Sequence, residues 1–202
     1  MSAPDRVKRI VSHYENLYDK HGDSPLASDY GSVESQATKF RVLSEATDYS
    51  GKSVLDVGCG FGTFASYLSN RYDGVDYHGV DITPSIAEEA RRKYPNLTIE
   101  CRDIINAPPD RKYDVVTANG IFYLVPNEPE EFMHSMITRM FSLCREVVAV
   151  NTLSVWADLI NANEYYANPA SMIDFCRTLT SNVTLRHDYM RHDFTLYLYR
   201  EK

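Results

Sequence analysis

Between Ser53 and Asn151 short apolar runs alternate with amphipathic stretches, and that rhythm sets the expected architecture. Ser53–Val57 reads as a buried strand, Tyr77–Asp81 as a second and Leu97–Glu100 as a third. Tyr113–Asn119, with the run Val115–Val116–Thr117, reads as a fourth, and Glu146–Asn151 as a fifth. Helical patterns fill the intervals. One runs from Thr63 to Arg71. Another opens at Thr83 as N-cap, with Pro84 in the first helical position, and is stopped by Pro95. A third covers residues 128–144, where Phe132, Met133, Met136, Ile137, Met140 and Phe141 recur at helical spacing and read as a core face. Strands separated by helices predict a parallel sheet built from βαβ units.

The flanks depart from this rhythm. Asn168–Pro169 starts another capped helix carrying Met172, Ile173, Phe175, Cys176 and Leu179. Val183–Tyr189 and Phe194–Arg200 then read as strands with only Met190–Asp193 between them, which predicts antiparallel neighbours. Helical patterns over 6–20 and 33–47 are separated by the Gly/Asp/Ser/Pro-rich stretch His21–Gly31, read as a mobile connector. The expected fold is α/β: a doubly wound, mainly parallel seven-stranded sheet ending in an antiparallel hairpin, with an N-terminal helical cap. One domain is expected over residues 1–202, with the cap in 1–50 and the core in 51–202. At 202 residues such a domain buries most of its unfolded apolar surface and needs neither metal nor disulfides to fold.

Composition narrows the partners. Lys plus Arg number 21 against 28 for Asp plus Glu, a formal charge of -7 with no basic block, which argues against nucleic acid as the principal partner. The triplet Arg91–Arg92–Lys93 is expected on the solvated face of its helix. Cys59, Cys101, Cys144 and Cys176 form no CxxC spacing, the N-terminus is polar, and no apolar run approaches the roughly 18 residues of a membrane span. Free thiols, no membrane and a cytoplasmic location are the expectation.

The stretch Asp56–Val57–Gly58–Cys59–Gly60–Phe61–Gly62 carries the most chemistry. Glycines after a buried strand permit a sharp turn and a close backbone approach by a ligand, and N–H groups at the following helix start would face that ligand. A glycine loop alone is a weak signal. Here Asp56 precedes it by two residues, Asp81 ends the next strand and Asp103 follows the third. Those positions put three carboxylates at one mouth, where doubly wound sheets bind ligands.

With these residues the chain resembles the class I S-adenosylmethionine-dependent methyltransferases, over about residues 33–200 and including the closing hairpin. The resemblance implies S-adenosyl-L-methionine as cofactor and S-adenosyl-L-homocysteine as product. It implies that Gly58, Cys59, Gly60 and Gly62 line the methionine part, with Asp56 orienting its amino group. Asp81 would take the ribose hydroxyls and Ile82 would pack on adenine. Asp103 would accept from the adenine amino group, with Ile104 supplying its backbone, and Asn119–Gly120 lies where the family bonds the cofactor's ammonium. An acidic mouth suits a sulfonium with an ammonium better than it suits a dinucleotide phosphate. The Asn/Asp-Pro-Pro-Tyr motif of base and glutamine N-methyltransferases is missing, since the fourth strand ends Asn119–Gly120–Ile121–Phe122. Asp110 and Asp114 read as turn and strand-edge residues, and no metal site is expected.

A small-molecule acceptor is the expected partner. The N-terminal helices either cross the carboxyl edge of the sheet as a lid or cover a sheet face. As a lid, Tyr14, Tyr18 and Tyr30 would present aromatic surface, and Gln36 could reach the cofactor's carboxylate. The sixth strand is expected to run parallel to the first five, bringing His187, Asp188, Tyr189 and His192 toward Phe122 and Tyr123 at the acceptor mouth. His187 is the candidate base, because it shares a strand face with Val183 and Leu185; a structural histidine paired with a carboxylate is the competing reading. His13 and His134 rank lower. Two other functions stay open: aminopropyl transfer on the same sheet, against which the helical pattern of residues 1–50 speaks, and a non-enzymatic cofactor-binding module.

Overall fold

The computed structural model describes residues 3–125 and 128–201; the first two residues of the expected cap, Pro126, Asn127 and Lys202 lie outside them. Helix α1 spans Ala3–His21, a 3-10 turn covers Pro25–Ser28, and α2 spans Val33–Ser44. The core then runs β1 (Ser53–Val57), α3 (Thr63–Ser69), β2 (Asp76–Asp81), α4 (Pro84–Lys93), β3 (Thr98–Cys101) and β4 (Tyr113–Asn119). It continues with α5 (Pro129–Leu143), β5 (Cys144–Leu153), α6 (Pro169–Cys176), β6 (Val183–Arg186) and β7 (Asp193–Tyr199).

The seven strands form one sheet in the order β3-β2-β1-β4-β5-β7-β6. β1 pairs in parallel with β2 and with β4, β2 with β3, and β4 with β5. β7 is antiparallel to both β5 and β6, so β6 runs parallel to the first five strands, as expected. The strand order reverses direction between β1 and β4, which leaves a crevice outside their carboxyl ends.

Two strands depart most from their expected bounds, for physical reasons. β6 stops at Arg186 rather than Tyr189: its last ladder partner is Thr195, and the Arg186 guanidinium then binds both oxygens of Asp188 at 2.8 and 3.0 Å. β5 is longer at both ends because it has neighbours on two sides, β4 meeting it from Cys144 and β7 carrying the pairing out to Leu153.

Helices cover both faces. Phe40 and Leu43 of α2, Phe64 and Leu68 of α3, and Ala87 and Ala90 of α4 pack on Val54, Val115 and Val147. On the opposite face Met133, Ile137 and Met140 of α5 and Met172 of α6 pack on Leu55, Val116, Val148 and Leu196. Each such large side chain contributes about 1.5–3 kcal/mol on full burial. The expected cap thus divides: α2 covers a sheet face, whereas α1 lies over the carboxyl edge, where Tyr14 and Tyr18 pack with Phe61 and Ile86. The connector read as mobile is anchored, with Ala27 fully buried in that third cluster. No described helix is long and apolar enough to cross a membrane.

Candidate active site

The crevice at the carboxyl ends is a cleft lined by Asp56–Gly60 from β1, Val80–Thr83 from β2, Arg102–Ile104 after β3, and Asn119 and Ile121 after β4. Ile10 and Tyr14 of α1 and Ser28, Tyr30 and Gln36 close it from the cap side. The structure therefore brings together Tyr14, Tyr30, Gln36, Asp56, Gly58, Cys59, Gly60, Asp81, Ile82, Asp103, Ile104 and Asn119, as the sequence suggested.

The turn after β1 is tight. Gly58 has φ +72°, and a Cβ there would lie 2.4 Å from Ile121 Cγ2, so only glycine lets the loops after β1 and β4 meet. Four of the loop's amides are spent inside the protein, whereas Thr63 and Phe64 at the start of α3 line the cleft. Gly58 and Cys59 donate to Val80 O at 2.8 and 3.0 Å, and Gly62 donates to Cys59 O at 3.0 Å. Gly60 N–H is taken by Asp81 Oδ2 at 3.0 Å, while Asp81 Oδ1 accepts from Thr83 N–H at 2.8 Å. One carboxylate thus fixes both the glycine loop and the start of α4, and each oxygen keeps lone-pair capacity.

Acceptors dominate the cleft. Burial pushes the Asp81 carboxyl up despite its backbone donors. Asp56, almost wholly buried, accepts from Tyr77 Oη at 2.5 Å and Thr117 Oγ1 at 2.9 Å. Loss of solvent outweighs those two bonds and raises its pKa to about 6. Asp103 accepts from Ile105 N–H at 2.9 Å and Asn106 Nδ2 at 2.7 Å. Asn119 Nδ2 donates to Tyr30 Oη at 2.6 Å, whereas its buried Oδ1 has no partner. Burial drives the Cys59 thiol well above its ordinary pKa, so it stays protonated.

A chain of hydrogen bonds leads from the cleft to the surface. Tyr123 donates to Asp29 Oδ2 at 2.5 Å, so its oxygen can only accept from Tyr14 Oη, 3.0 Å away. His13 Nε2 lies 3.1 Å from the same Asp29 oxygen. Tyr14, its single proton committed to Tyr123, lines the cleft and keeps the capacity to accept. Asp29 holds this arrangement from a left-handed backbone, φ +58°, uncommon outside glycine.

Four expected site residues stand elsewhere. Gly62 does not line the cleft: with φ +74° it opens α3, and a Cβ would meet Tyr94 Cδ2 at 3.1 Å. Phe122 is fully buried against Phe132, and the neighbouring Ile121 lines the cleft in its place. Tyr123 reaches the cleft only through Tyr14. His187 bonds Ser154 Oγ at 2.9 Å and stacks on Phe194 beside Trp156, in a shallow depression of its own. β7 lies between β5 and β6, which puts His187 about three strand spacings, ~14 Å, from β4. Its partner is a hydroxyl rather than a carboxylate. Conversely, Phe132 and Met136, read purely as core, also line the cleft. Among the described residues no group of three or more His, Cys, Asp or Glu could hold a metal ion.

Comparison with known proteins fits this geometry. Residues 54–142 match the family model described as a methyltransferase domain. Rv1506c of Mycobacterium tuberculosis, described as a candidate methyltransferase, is 28% identical over 164 residues, covering 78% of this chain and 96% of that protein. The trans-aconitate 2-methyltransferase of Escherichia coli O157:H7 is 33% identical over 94 residues, 46% of this chain and 36% of that protein. Among solved structures, magnesium protoporphyrin IX methyltransferase of Synechocystis PCC 6803 with bound S-adenosylhomocysteine superimposes with a TM-score of 0.71 at 15% identity, covering 98% of this chain and 100% of that one. DhpI bound to the same product gives 0.73 at 16% identity, covering 97% of each chain. At such identities the likeness is one of fold. Sheet order, cleft position and the matched domain agree: residues 54–142 match a methyltransferase domain, and the chain has the fold of S-adenosylmethionine-dependent methyltransferases.

Proposed function

We propose that the protein transfers a methyl group from S-adenosyl-L-methionine to a small-molecule acceptor lying beside Tyr30 and Asn119. The observation that carries this reading is the polarity of the cleft. The amides of Gly58, Cys59, Gly60 and Gly62 are spent inside the protein and are not offered to a phosphate. Asp56, Asp81, Asp103 and the free Asn119 Oδ1 leave acceptors facing a ligand rich in hydroxyl and cationic N–H donors.

In this reading Asp81 receives the ribose hydroxyls with the lone pairs its backbone donors leave free. Ile82 and Ile104 flank the adenine, and Asp103 accepts its amino group. Asn119 Oδ1 accepts from the ammonium, with Asp56 adding negative charge from below, and Gln36 donates to the carboxylate. Gly58, Cys59 and Gly60 provide a floor without protruding side chains. When bound, the cofactor supplies an electrophilic methyl group on a sulfonium. Ile10, Tyr14 and Tyr30 cover it and exclude water. Positioning then supplies most of the rate. Where the nucleophile carries a proton, Tyr14 accepts it and passes its own to Tyr123 and on to Asp29, a role His187 is too distant to play.

Titration calorimetry tests the cofactor assignment. S-adenosylhomocysteine is expected to bind with a dissociation constant on the order of micromolar, roughly -8 kcal/mol, and more tightly than ADP. Tighter binding of ADP would overturn the reading.

A further inference from the structure

Beside the cleft lies a chamber of about 500 Å³, within the range of small-ligand sites. It shares Ser28, Tyr30 and Asn119 with the cleft, so a molecule filling it abuts whatever rests on those residues. Its far wall is the meeting of β5 and β7, at Thr152, Leu153 and Asp193. The carboxylates around it are Asp29, Glu34, Glu164 and Asp193; the basic side chains are Lys39 and His192.

Both basic groups are held on a single carboxylate. Lys39 Nζ lies 3.0 Å, and His192 Nε2 3.2 Å, from Asp193 Oδ2. Among the described lining residues, no cation is then left for an anionic ligand, while Glu34 and Glu164 stand on the wall without a basic partner. Asp193 is only 1% exposed and Thr152 2%, yet Asp193 Oδ1 and the Thr152 hydroxyl have no hydrogen-bond partner. Buried acceptors left unpaired are costly and are relieved by a ligand that brings N–H donors.

We propose that this chamber is the acceptor site and that the acceptor is a primary or secondary amine, bound as its ammonium ion; this rests on the methyltransferase reading above. For a primary amine, R–NH3⁺ first gives a proton to Tyr14 and thence to the Asp29–His13 end of the chain. The freed nitrogen lone pair forms the N–CH3 bond as the CH3–S bond breaks, its electron pair passing to sulfur. The products are R–NH2–CH3⁺, a neutral thioether and one proton released at the surface. Total charge is conserved. A polycarboxylate would meet the same walls as repulsion.

Two measurements test the assignment. On protein saturated with S-adenosylhomocysteine, calorimetry with benzylammonium and with benzoate should show the ammonium binding at least tenfold tighter. The double variant Glu34→Gln/Glu164→Gln should weaken the ammonium at least threefold and leave benzoate unweakened. In turnover, S-adenosylhomocysteine should form at least tenfold faster with a pool of primary and secondary amines than with matched pools of carboxylic acids or phenols. Benzoate binding as tightly as benzylammonium, no binding of the latter, or an acid or phenol pool matching the amines overturns the amine assignment. Failure of S-adenosylhomocysteine itself to bind would instead overturn the methyltransferase reading beneath it.

Discussion

Asp81→Asn separates the two tasks of one carboxylate. In the native protein its oxygens hold Gly60 N–H at 3.0 Å and Thr83 N–H at 2.8 Å. Asparagine keeps one acceptor; placed on Thr83, it turns its own N–H2 toward Gly60 and orphans that amide. An unpaired buried donor costs about 1–3 kcal/mol. Relief of the burial that raises the Asp81 pKa offsets part of that cost, so the loss of stability should be small. Binding suffers more. A hydrogen bond to a charged group contributes about 1.5–3 kcal/mol, and losing one acceptor for the ribose should weaken S-adenosylhomocysteine by roughly ten- to a hundredfold. Calorimetric titration beside urea denaturation of the ligand-free proteins measures both effects. A folded variant whose dissociation constant stays within threefold of wild type would refute the placement of the ribose on Asp81.

Gly58→Ala should lower stability by about 2–4 kcal/mol, combining left-handed backbone strain with the contact on Ile121 at 2.4 Å. Adding Ile121→Ala should recover the contact part, and an unchanged urea midpoint for the single variant would contradict this packing. Asp56 has a folded pKa of about 6 against 3.8 unperturbed, so between about pH 4 and pH 6 the folded state keeps a proton the unfolded chain has lost. Stability present below pH 4 is therefore lost by about 3 kcal/mol as pH rises to 6, and Asp56→Asn should abolish that slope; parallel stability–pH curves would disprove it. Asp29→Asn preserves a residue type that tolerates φ +58° while removing the terminal proton acceptor. Turnover with the active acceptor pool should fall at least tenfold with product affinity within threefold, and full turnover would leave the chain a purely structural latch.

The parts of the site visible in the sequence are those where buried parallel strands end. An apolar run followed by Asp, Gly or Asn places those residues at the carboxyl edge whatever the rest of the chain does, and Asp56, Asp81 and Asn119 fell there. What failed depended on information that strand periodicity does not carry. Gly62 belongs to the same GxGxG run as Gly58, yet it serves the helix start beneath Tyr94. The choice between Ile121 and Phe122 turns on the left-handed Gly120, φ +67°, which rotates the chain out of strand parity. His187 faces inward as its parity implied, stacked on Phe194, but the insertion of β7 moves it to the far side of the sheet. Asp29 lay in an aperiodic stretch; its partners are 16 and 94 residues away, and no local pattern announces them.

The position of β7 also bears on how the protein is made. Synthesis delivers β5 and β6 first, yet β7 must lie between them, paired through seven residues to β5 and four to β6. Until Asp193–Tyr199 has emerged from the ribosome, β5 presents an open edge of ten residues, Cys144–Leu153, apolar along its middle. Such an edge is a template for pairing with other chains. The parallel half of the sheet can assemble during synthesis, but its protection from aggregation arrives only with this strand. Translation pausing or truncation before residue 193 should therefore produce a chain that assembles the parallel half of its sheet and depends on chaperones for its solubility.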